Sequence, residues 1–276
     1  MKDDPIVAAI EGLDGADPGT AEGRVRLEKA LASKSNLVAA KAAKIADEAR
    51  ARDLVPKLAA AFDRFLQRGD KGCAALNALA RALVNLDCDD DEVFRRGMKH
   101  VQMEPVWGGS EDVAAELRGI CAMGFANTRT LRKVRYLVDL LADREWPARV
   151  GAARAIAAVG SETASVALRL KILVGDRQPD VIGECLSGLI GIDGADALPL
   201  ADSIANSRDE ALRDAAILAI GASRRDDAIG LLKARYDRSV NKELRECILL
   251  ALRSARTDLA MKYFEELSKE KNRETA

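Results

Sequence analysis

One amphipathic pattern recurs along the C-terminal half of the chain at nearly constant intervals. Four segments share it: ARVGAARAIAAVG (148–160), VIGECLSGLIGI (181–192), LRDAAILAIGAS (212–223) and LRECILLALRSA (244–255). Their first residues are 33, 31 and 32 positions apart. In the third copy, small or apolar residues follow helical steps of three and one and share one helix face. These are Leu212, Ala215, Ala216, Ala219 and Ile220. A fixed period in this range predicts a stack of helical repeats.

A second amphipathic segment follows each copy after a short break. These segments lie at 165–174, 195–204, 228–236 and 259–268. Weaker versions of the pattern predict three earlier helix pairs, at 37–49 with 54–67, 73–86 with 91–102, and 112–125 with 131–143. With Leu37, Lys71, Asp112 and Ala148 taken as equivalent positions, the earlier intervals are 34, 41 and 36 residues. The extra length falls in the segment 104–112, where we expect an irregular loop. The pattern therefore predicts about seven helical hairpins.

Single residues mark the helix boundaries that this pattern requires. Pro147 and Pro179 fall where a first-turn proline breaks no hydrogen bond, and Asp209 and Asn241 are placed as N-caps. Because one hairpin cannot bury both of its apolar faces, the hairpins must stack on one another. We predict an all-α fold, a right-handed α-α superhelix forming a single domain over residues 1–276. Its expected parts are an N-terminal helical cap (1–35), divergent repeats (36–130), regular repeats (131–268) and a flexible tail (269–276).

The segment 212–221, LRDAAILAIG, resembles HEAT repeats, in particular the short HEAT-like kind found in bilin lyases and many bacterial proteins. The starts of the first and last copies, Ala148-Arg149 and Leu244-Arg245, match the same pattern. The resemblance covers about residues 131–268 and is weaker over 37–131. It implies a HEAT-like solenoid whose second helices line the concave side.

The same resemblance implies ion pairs between repeats. Members of this group often carry an acidic residue in the preceding loop that pairs with the repeat arginine, as Asp143 before Arg149 would. Ile182 replaces the arginine in the next copy, and Ser207 and Ser239 replace the acid in later ones. A continuous ladder of ion pairs is therefore not expected.

Composition narrows the range of functions. The chain has 43 basic and 44 acidic residues, a net charge of −1, whereas proteins held to nucleic acid by phosphate contacts are usually strongly basic. Aromatic residues are only 4% of the chain. No uncharged apolar stretch approaches the ~20 residues that a membrane-spanning helix needs. The N-terminus lacks a basic start followed by an apolar run. We expect a cytoplasmic protein without membrane association.

The residue types that most often form catalytic, metal-binding or phosphate-binding sites show no recognisable motif in this sequence. The five cysteines are widely spaced and form no CxxC, so we interpret them as reduced, mostly buried packing residues. His100 is the single histidine, which excludes a multi-histidine zinc site, and we expect it on the surface of a second helix. Neither a phosphate-binding glycine loop nor a paired-carboxylate motif occurs. We therefore predict no cofactor and no bound metal.

One acidic run, LDCDDDE (86–92), begins as a calcium loop does. Asp87, Asp89 and Asp91 alternate, but the sixth position is Glu92 rather than Gly and the twelfth is Met98 rather than Glu. Acidic residues before a helix also stabilise its N-terminus through the helix dipole. We favour the capping interpretation over weak binding of a divalent ion.

Seven residues are candidates for contact with a partner. On the predicted second helices, Arg132 and Tyr136 are expected opposite an apolar stripe of Leu131, Val134, Val138 and Leu141, and Arg135 is expected to flank that stripe. Arg96 and Lys99 are expected to do the same one hairpin earlier, and Arg169 one hairpin later. Trp107 lies in the predicted loop beside Gly108 and Gly109, where it either anchors a partner or folds back between hairpins. Together the basic residues form either a binding stripe or an ordinary solvated face.

The fold class permits several functions, so the leading one is argued from surface residues. We predict a non-catalytic scaffold that binds a protein or peptide on its concave face. One alternative is nucleic-acid binding of the HEAT-like base-repair type, with Arg132, Arg135, Tyr136 and Asp139 in the cleft; the neutral net charge counts against it. A second alternative, implied by the resemblance to bilin lyases, is tetrapyrrole handling. No residue pattern argues for catalysis.

Overall fold

The structure is a computed structural model, of which residues 5–274 are described, their side chains over 5–267. These residues form sixteen α-helices, three short 3₁₀-helices and two strands. The first half contains α1 (Pro5–Glu11), α2 (Ala21–Leu31), α3 (Asn36–Glu48), α4 (Val55–Arg68), α5 (Ala74–Asn85), α6 (Asp91–Met98), β1 (Met103–Val106), β2 (Gly109–Asp112), α7 (Ala115–Asn127) and α8 (Lys133–Leu141). The second half contains α9 (Trp146–Val159), α10 (Glu162–Val174), α11 (Pro179–Asp193), α12 (Leu198–Ile204), α13 (Glu210–Ala222), α14 (Asp226–Arg238), α15 (Lys242–Ala255) and α16 (Asp258–Glu274).

The predicted all-α class and the predicted hairpins are confirmed. Each of the seven expected helix pairs is present, from α3–α4 to α15–α16. Asp209 and Asn241 cap α13 and α15 by accepting hydrogen bonds from the backbone N–H groups of Leu212 (3.2 Å) and Leu244 (2.7 Å). Side-chain capping of this kind satisfies backbone donors that a helix start leaves open.

The chain divides into two compact units, one through Ala155 and one from Ile156 onward. In the first unit, α3 packs against α5 and α5 against α7. In the second unit, α11 packs against α13 and α13 against α15. Within each unit, therefore, first helices stack on first helices, which is the arrangement that the repeat period predicts. The expectation of a single domain stays a prediction.

Three boundaries differ from those expected. The second helix predicted at 91–102 ends at Met98, and the predicted irregular loop 104–112 forms an antiparallel β-hairpin instead. The hairpin forms because Gly108 adopts φ +90° in the two-residue turn, a conformation that side chains disfavour. At the other end, α16 continues to Glu274. Residues 275–276 of the expected flexible tail lie outside the described residues.

Close approach between helices depends on residues without side chains. A methyl group on Gly151 of α9 would lie 2.8 Å from the carbonyl carbon and 2.9 Å from the carbonyl oxygen of Gly119 in α7. These are backbone atoms, so no side-chain rotation could relieve the clash. Gly191, near the end of α11, has no heavy atom within 4 Å of the equivalent position.

This contrast gives the first prediction. We expect Gly151→Ala to lower the free energy of unfolding by about 1–3 kcal/mol, because overpacking must push two backbones apart. The matched control, Gly191→Ala, is expected to raise it by up to about 1 kcal/mol through higher helix propensity. Urea unfolding followed by circular dichroism measures both. Equal effects of the two substitutions would contradict the tight crossing of α7 and α9.

Candidate functional site

The predicted binding residues of α8 do not share the face that was expected. Arg132 precedes the helix, in the left-handed region at φ 58°, so it is not one helical turn from Tyr136. The buried stripe is Val134, Leu137, Leu140 and Leu141, whereas Leu131 and Val138 are exposed. The predicted stripe is confirmed at Val134 and Leu141 and wrong at Leu131, which lies before the helix, and at Val138, whose place in the buried face is taken by Leu137. Arg135 is exposed, as predicted.

Tyr136 packs within the protein while keeping 39% of its surface exposed. Its ring meets the buried ring of Phe125 edge-on, with centroids 5.6 Å apart. The guanidinium of Arg95 lies 4.9 Å from the centroid of the same ring, within cation–π range. Tyr136 therefore joins α8 to α6 and α7, a structural role that its sequence position did not reveal.

The remaining basic candidates lie on two separate helices, α6 with its C-cap and α10. Arg96 of α6 forms a 2.7 Å ion pair with Asp63 of α4. Lys99 is exposed at the C-cap of α6. Arg169 is exposed on α10, in the second unit. Arg96 is thus engaged within the protein, whereas the other two face solvent.

An exposed apolar surface on α10 was not anticipated from the sequence. Four aliphatic side chains of this helix have between 60% and 74% of their surface exposed: Val166, Leu170, Leu173 and Val174. A separate set, Ala164, Leu168 and Ile172, is buried. Leu168 lies over Gly188 of α11, where a methyl group would come within 2.9 Å of its Cδ1. The helix is therefore apolar on two sides, and only one side is used for packing.

The sequence does contain a signal for this surface. The segment 166–174, VALRLKILV, has more apolar positions than one buried face of a helix requires. An exposed apolar face on a helix otherwise paired in a hairpin is typical of an interaction surface. We call Val166, Leu170, Leu173 and Val174 the α10 stripe.

The β-hairpin between α6 and α7 is a second exposed surface. Trp107, at its turn, is fully exposed, so the interpretation in which it folds back between hairpins is wrong. Val101, Met103 and Val106 are also exposed. Because Trp107 projects from a tight turn, its ring contacts no internal partner among the described residues. Such exposure is expected of a residue that anchors a binding partner.

The root of the hairpin is held by a buried arginine. Arg118 of α7 has a side chain that is only 3% exposed and binds two carboxylates. It donates to Asp112 at 2.7 Å and, through two nitrogens, to Asp143 at 2.9 Å each. It also donates to the carbonyl of His100 at 3.0 Å. One side chain thus joins β2, the end of α6 and the loop before α9.

The position of Arg118 changes two sequence expectations. The Asp143 carboxylate accepts hydrogen bonds from Arg118 of α7, the preceding first helix. Arg149 donates to the backbone carbonyls of Asp143 and Arg144 at 2.9 Å each. His100 follows the end of α6 and is half-buried, with Nε2 3.4 Å from Oε1 of Gln102. It is therefore not a surface residue of a second helix.

The charged forms of Asp112 and Arg118, at the root of the β-hairpin, are favoured in the folded state. Burial alone would raise the pKa of Asp112, but hydrogen bonds from the Gln102 amide, the Arg118 guanidinium and the Ala114 amide outweigh it and lower that pKa. Burial acts against the charged form of Arg118 as well, yet its bonds to Asp143 and Asp112 raise its pKa. The charged forms are thus the stable ones at neutral pH.

We therefore expect Arg118→Met to lower the free energy of unfolding by about 3–5 kcal/mol at neutral pH, because it leaves two carboxylates without their cation. Since folding lowers the pKa of Asp112, its contribution is present above the unfolded pKa and lost as pH falls through the folded pKa. The deficit of the variant should shrink over the same acidic range. Arg129→Met, at an exposed pair with Asp89 (3.1 Å), is the control and should change stability by less than ~0.5 kcal/mol. A pH-independent deficit in urea unfolding would count against this account.

The acidic run before α6 is bound within the protein. Asp90 caps α6 by accepting from the Glu92 amide at 3.1 Å. Asp89 accepts from the Arg129 amide at 3.0 Å, and Asp91 accepts from the Thr130 hydroxyl at 2.9 Å. Among the described residues, no group of three or more histidine, cysteine, aspartate or glutamate side chains could hold a metal ion. The run therefore fastens the loop before α8 to the start of α6.

A groove of about 630 Å³ lies between α3 and α5. Its floor is formed by Ala40, Ala74 and Ala78, and its rim by Lys41, Lys44, Asp47, Glu48, Asn77 and Arg81. The rim cations have partners: Lys41 pairs with Asp14 (3.0 Å), Lys44 with Glu48 (3.7 Å) and Arg81 with Glu116. Because each of these rim cations is already paired with a carboxylate, the groove lacks the signature of an anion site.

The cysteines are shielded from solvent in most of the structure. Cys73, Cys88, Cys121 and Cys185 are buried and Cys247 is half-buried. Burial raises the pKa of every one of these thiols, to about 12 at Cys73, Cys185 and Cys247. At pH 8 a thiol of that pKa is ionised in only about one molecule in 10⁴. Since the thiolate is the nucleophile, low reactivity follows.

Iodoacetamide labelling at pH 8 tests this shielding. We expect the native protein to react about 100-fold more slowly than the urea-unfolded chain, with Cys247 modified first and all five thiols modified after unfolding. Mass spectrometry of peptides identifies the modified positions. Two or more thiols that react in the native protein as fast as in the unfolded chain would overturn the packing interpretation.

Comparison with known proteins supports the repeat class. Residues 166–253 match the family model of HEAT repeats, which confirms the HEAT-like character of the region from α10 to α15. Among curated protein sequences, none matches the chain. No helix of the described residues is long and apolar enough to cross a membrane.

Two solved structures are similar to this one at low sequence identity. The complex of CpcE and CpcF of phycocyanin lyase from Nostoc sp. is 16% identical, with a TM-score of 0.45, over 76% of this chain and 94% of that chain. Human deoxyhypusine hydroxylase in complex with glycerol is 17% identical, with a TM-score of 0.34, over 96% of this chain and 92% of that chain. Since neither TM-score reaches 0.5, these likenesses identify no activity, ligand or partner for this chain.

Proposed function

We propose that this helical repeat protein is a non-catalytic binding module that holds a protein or peptide partner on the second-helix side of its hairpins, through the α10 stripe. The observation that carries the proposal is the exposure of four aliphatic side chains on one helix whose other side is already packed. Burying an aliphatic side chain contributes about 1.5–3 kcal/mol. Burial of the α10 stripe by a partner would therefore stabilise a complex, whereas the exposed stripe adds little to the stability of the isolated chain.

The charges around the α10 stripe suggest the chemistry of the partner. Arg169 lies within the stripe, and Arg177 lies just beyond the end of α10; both are exposed, and neither forms an ion pair with another described residue. Lys171, by contrast, pairs with Asp176 at 2.8 Å. An amphipathic helix with an apolar face and acidic flanks would match both the stripe and these free guanidinium groups.

Two synthetic peptides of equal length test this proposal. Both carry leucine on one helical face; one has glutamate and the other has lysine at the flanking positions. Fluorescence anisotropy should show that the glutamate peptide binds at least about tenfold more tightly, because the lysine peptide meets Arg169 and Arg177 with like charge.

The doubly substituted variant Leu170→Ser/Leu173→Ser should weaken binding of the glutamate peptide by about tenfold or more. Both side chains are exposed, so the melting temperature should hardly change. Val240→Ser, at an exposed valine outside any helix, is the control and should bind as the parent does. Equal affinity for both peptides, or unchanged binding by the double variant, would show that α10 is not the site.

A further inference from the structure

The register of the β-hairpin defines which backbone N–H and C=O groups bond across the two strands and which point outward. The Val113 amide donates to the Gln102 carbonyl at 3.0 Å, which marks that pair as hydrogen-bonded. Because bonded pairs alternate along an antiparallel ladder, the pairs 104/111 and 106/109 also bond across the hairpin. The residues between them direct their N–H and C=O groups away from the partner strand. They are Met103 and Pro105 on β1, and Ser110 and Asp112 on β2.

The two outer edges are not equivalent. Pro105 has no N–H, so the β1 edge lacks a donor in the middle of its strand, a feature that blocks strand addition. On β2, the outward N–H groups of Ser110 and Asp112 hydrogen-bond to no other described residue, and Ser110 is exposed. One edge of this two-stranded sheet is therefore closed, and the other is open.

The open edge is held in a fixed position. Asp112 is bound by Arg118, and its Oδ1 accepts from the amides of Gln102 (3.1 Å) and Ala114 (3.0 Å). On β1, Glu104 accepts from the Gly72 amide at 2.7 Å and from the Gln102 side chain at 2.6 Å. A strand ordered in advance by its root loses little further conformational entropy when a ligand pairs with it.

We propose that β2 is an edge strand that binds an extended peptide segment of a partner by strand addition, with alternating apolar and basic side chains in that segment. Strand addition obtains affinity from main-chain hydrogen bonds and specificity from alternate side chains. On one face of the hairpin, Glu111 is exposed and forms no ion pair with another described residue, so it suits a lysine or arginine. On the other face, the side chains of an added strand would lie beside Ser110, which is exposed and uncharged, so a β-branched apolar residue with high strand propensity fits there.

Charge also argues against a second copy of this chain as the occupant. Two β2 strands that paired with each other in antiparallel fashion would bring their exposed Glu111 carboxylates close together, and like charges across a pair of strands are destabilising. The proposal uses no residue of α10, so it stands or falls separately from the function proposed above.

The probe is a blocked heptapeptide, acetyl-Val-Lys-Val-Lys-Val-Lys-Val-amide, measured by anisotropy and by amide hydrogen exchange on the full-length protein. We expect saturation with the peptide to slow exchange at the Ser110 and Asp112 amides but not at Met103. Ser110→Pro removes one outward donor without touching the β1–β2 ladder and should weaken binding by about tenfold. Ser110→Ala keeps the donor and is expected to bind within about twofold of the parent.

Two peptide variants make the test independent of how Ser110→Pro affects the hairpin. The same peptide methylated on every amide nitrogen should not bind, and a peptide with glutamate in place of lysine should bind at least about tenfold more weakly.

The proposal is overturned if the methylated peptide binds as well as the parent peptide, or if Ser110→Pro and Ser110→Ala bind alike. It is also overturned if exchange slows at Met103 instead, or if sedimentation shows self-association of the parent protein that Ser110→Pro abolishes, since the occupant would then be a second copy. Binding of the glutamate-flanked helical peptide to Ser110→Pro should remain unchanged, which separates this site from α10.

Discussion

Close contact between the backbones of successive first helices is the constraint on which the described structure depends. A methyl group on Gly151 would overlap backbone atoms of Gly119, and one on Gly221 would lie 2.7 Å from the Ala251 carbonyl oxygen. Helices that meet at such short range exclude water and gain dispersion contacts along their length. Contacts this short also allow little sliding of one first helix along the next. The position of each first helix therefore sets the position of the second helix that follows it. The low aromatic content of the chain is consistent with this mode of packing.

The two exposed surfaces described above lie on a second helix, α10, and in the connection between α6 and α7. Some second helices are fastened by arginines that bind the C-terminal carbonyls of an earlier helix, as Arg64 binds Leu31 and Arg235 binds Ala205. Helix α10 buries one side against α11 and leaves an apolar stripe in solvent. That stripe contributes nothing to the packing of its own hairpin. The proposed function therefore rests on this stripe.

The connection between α6 and α7 shows how a rigid core can present an exposed element precisely. Arg118 is buried with its two carboxylates, so its charge is neutralised where water is excluded, and the root of the hairpin becomes part of the core. From that root the two strands extend outward to a fully exposed tryptophan. A flexible loop of the same length would lose more entropy on binding. The proposed strand addition at β2 depends on this difference.

The sequence alone determined the class of fold, the number of hairpins and most helix starts, because a repeat of 31–33 residues and the caps Asp209 and Asn241 are local signals. Trp107 was also identified from its glycine neighbours as a residue with an uncertain environment. Only the tertiary structure decided which surfaces are exposed. The apolar residues of α10 look alike in sequence whether a neighbour covers them or not, and Tyr136 differs from a surface tyrosine only through Phe125 and Arg95. Arg118 acquires its role from Asp112 and Asp143, six and 25 residues away. Periodicity along a chain reports the face that a helix can bury, whereas burial itself depends on what the rest of the chain brings against that face.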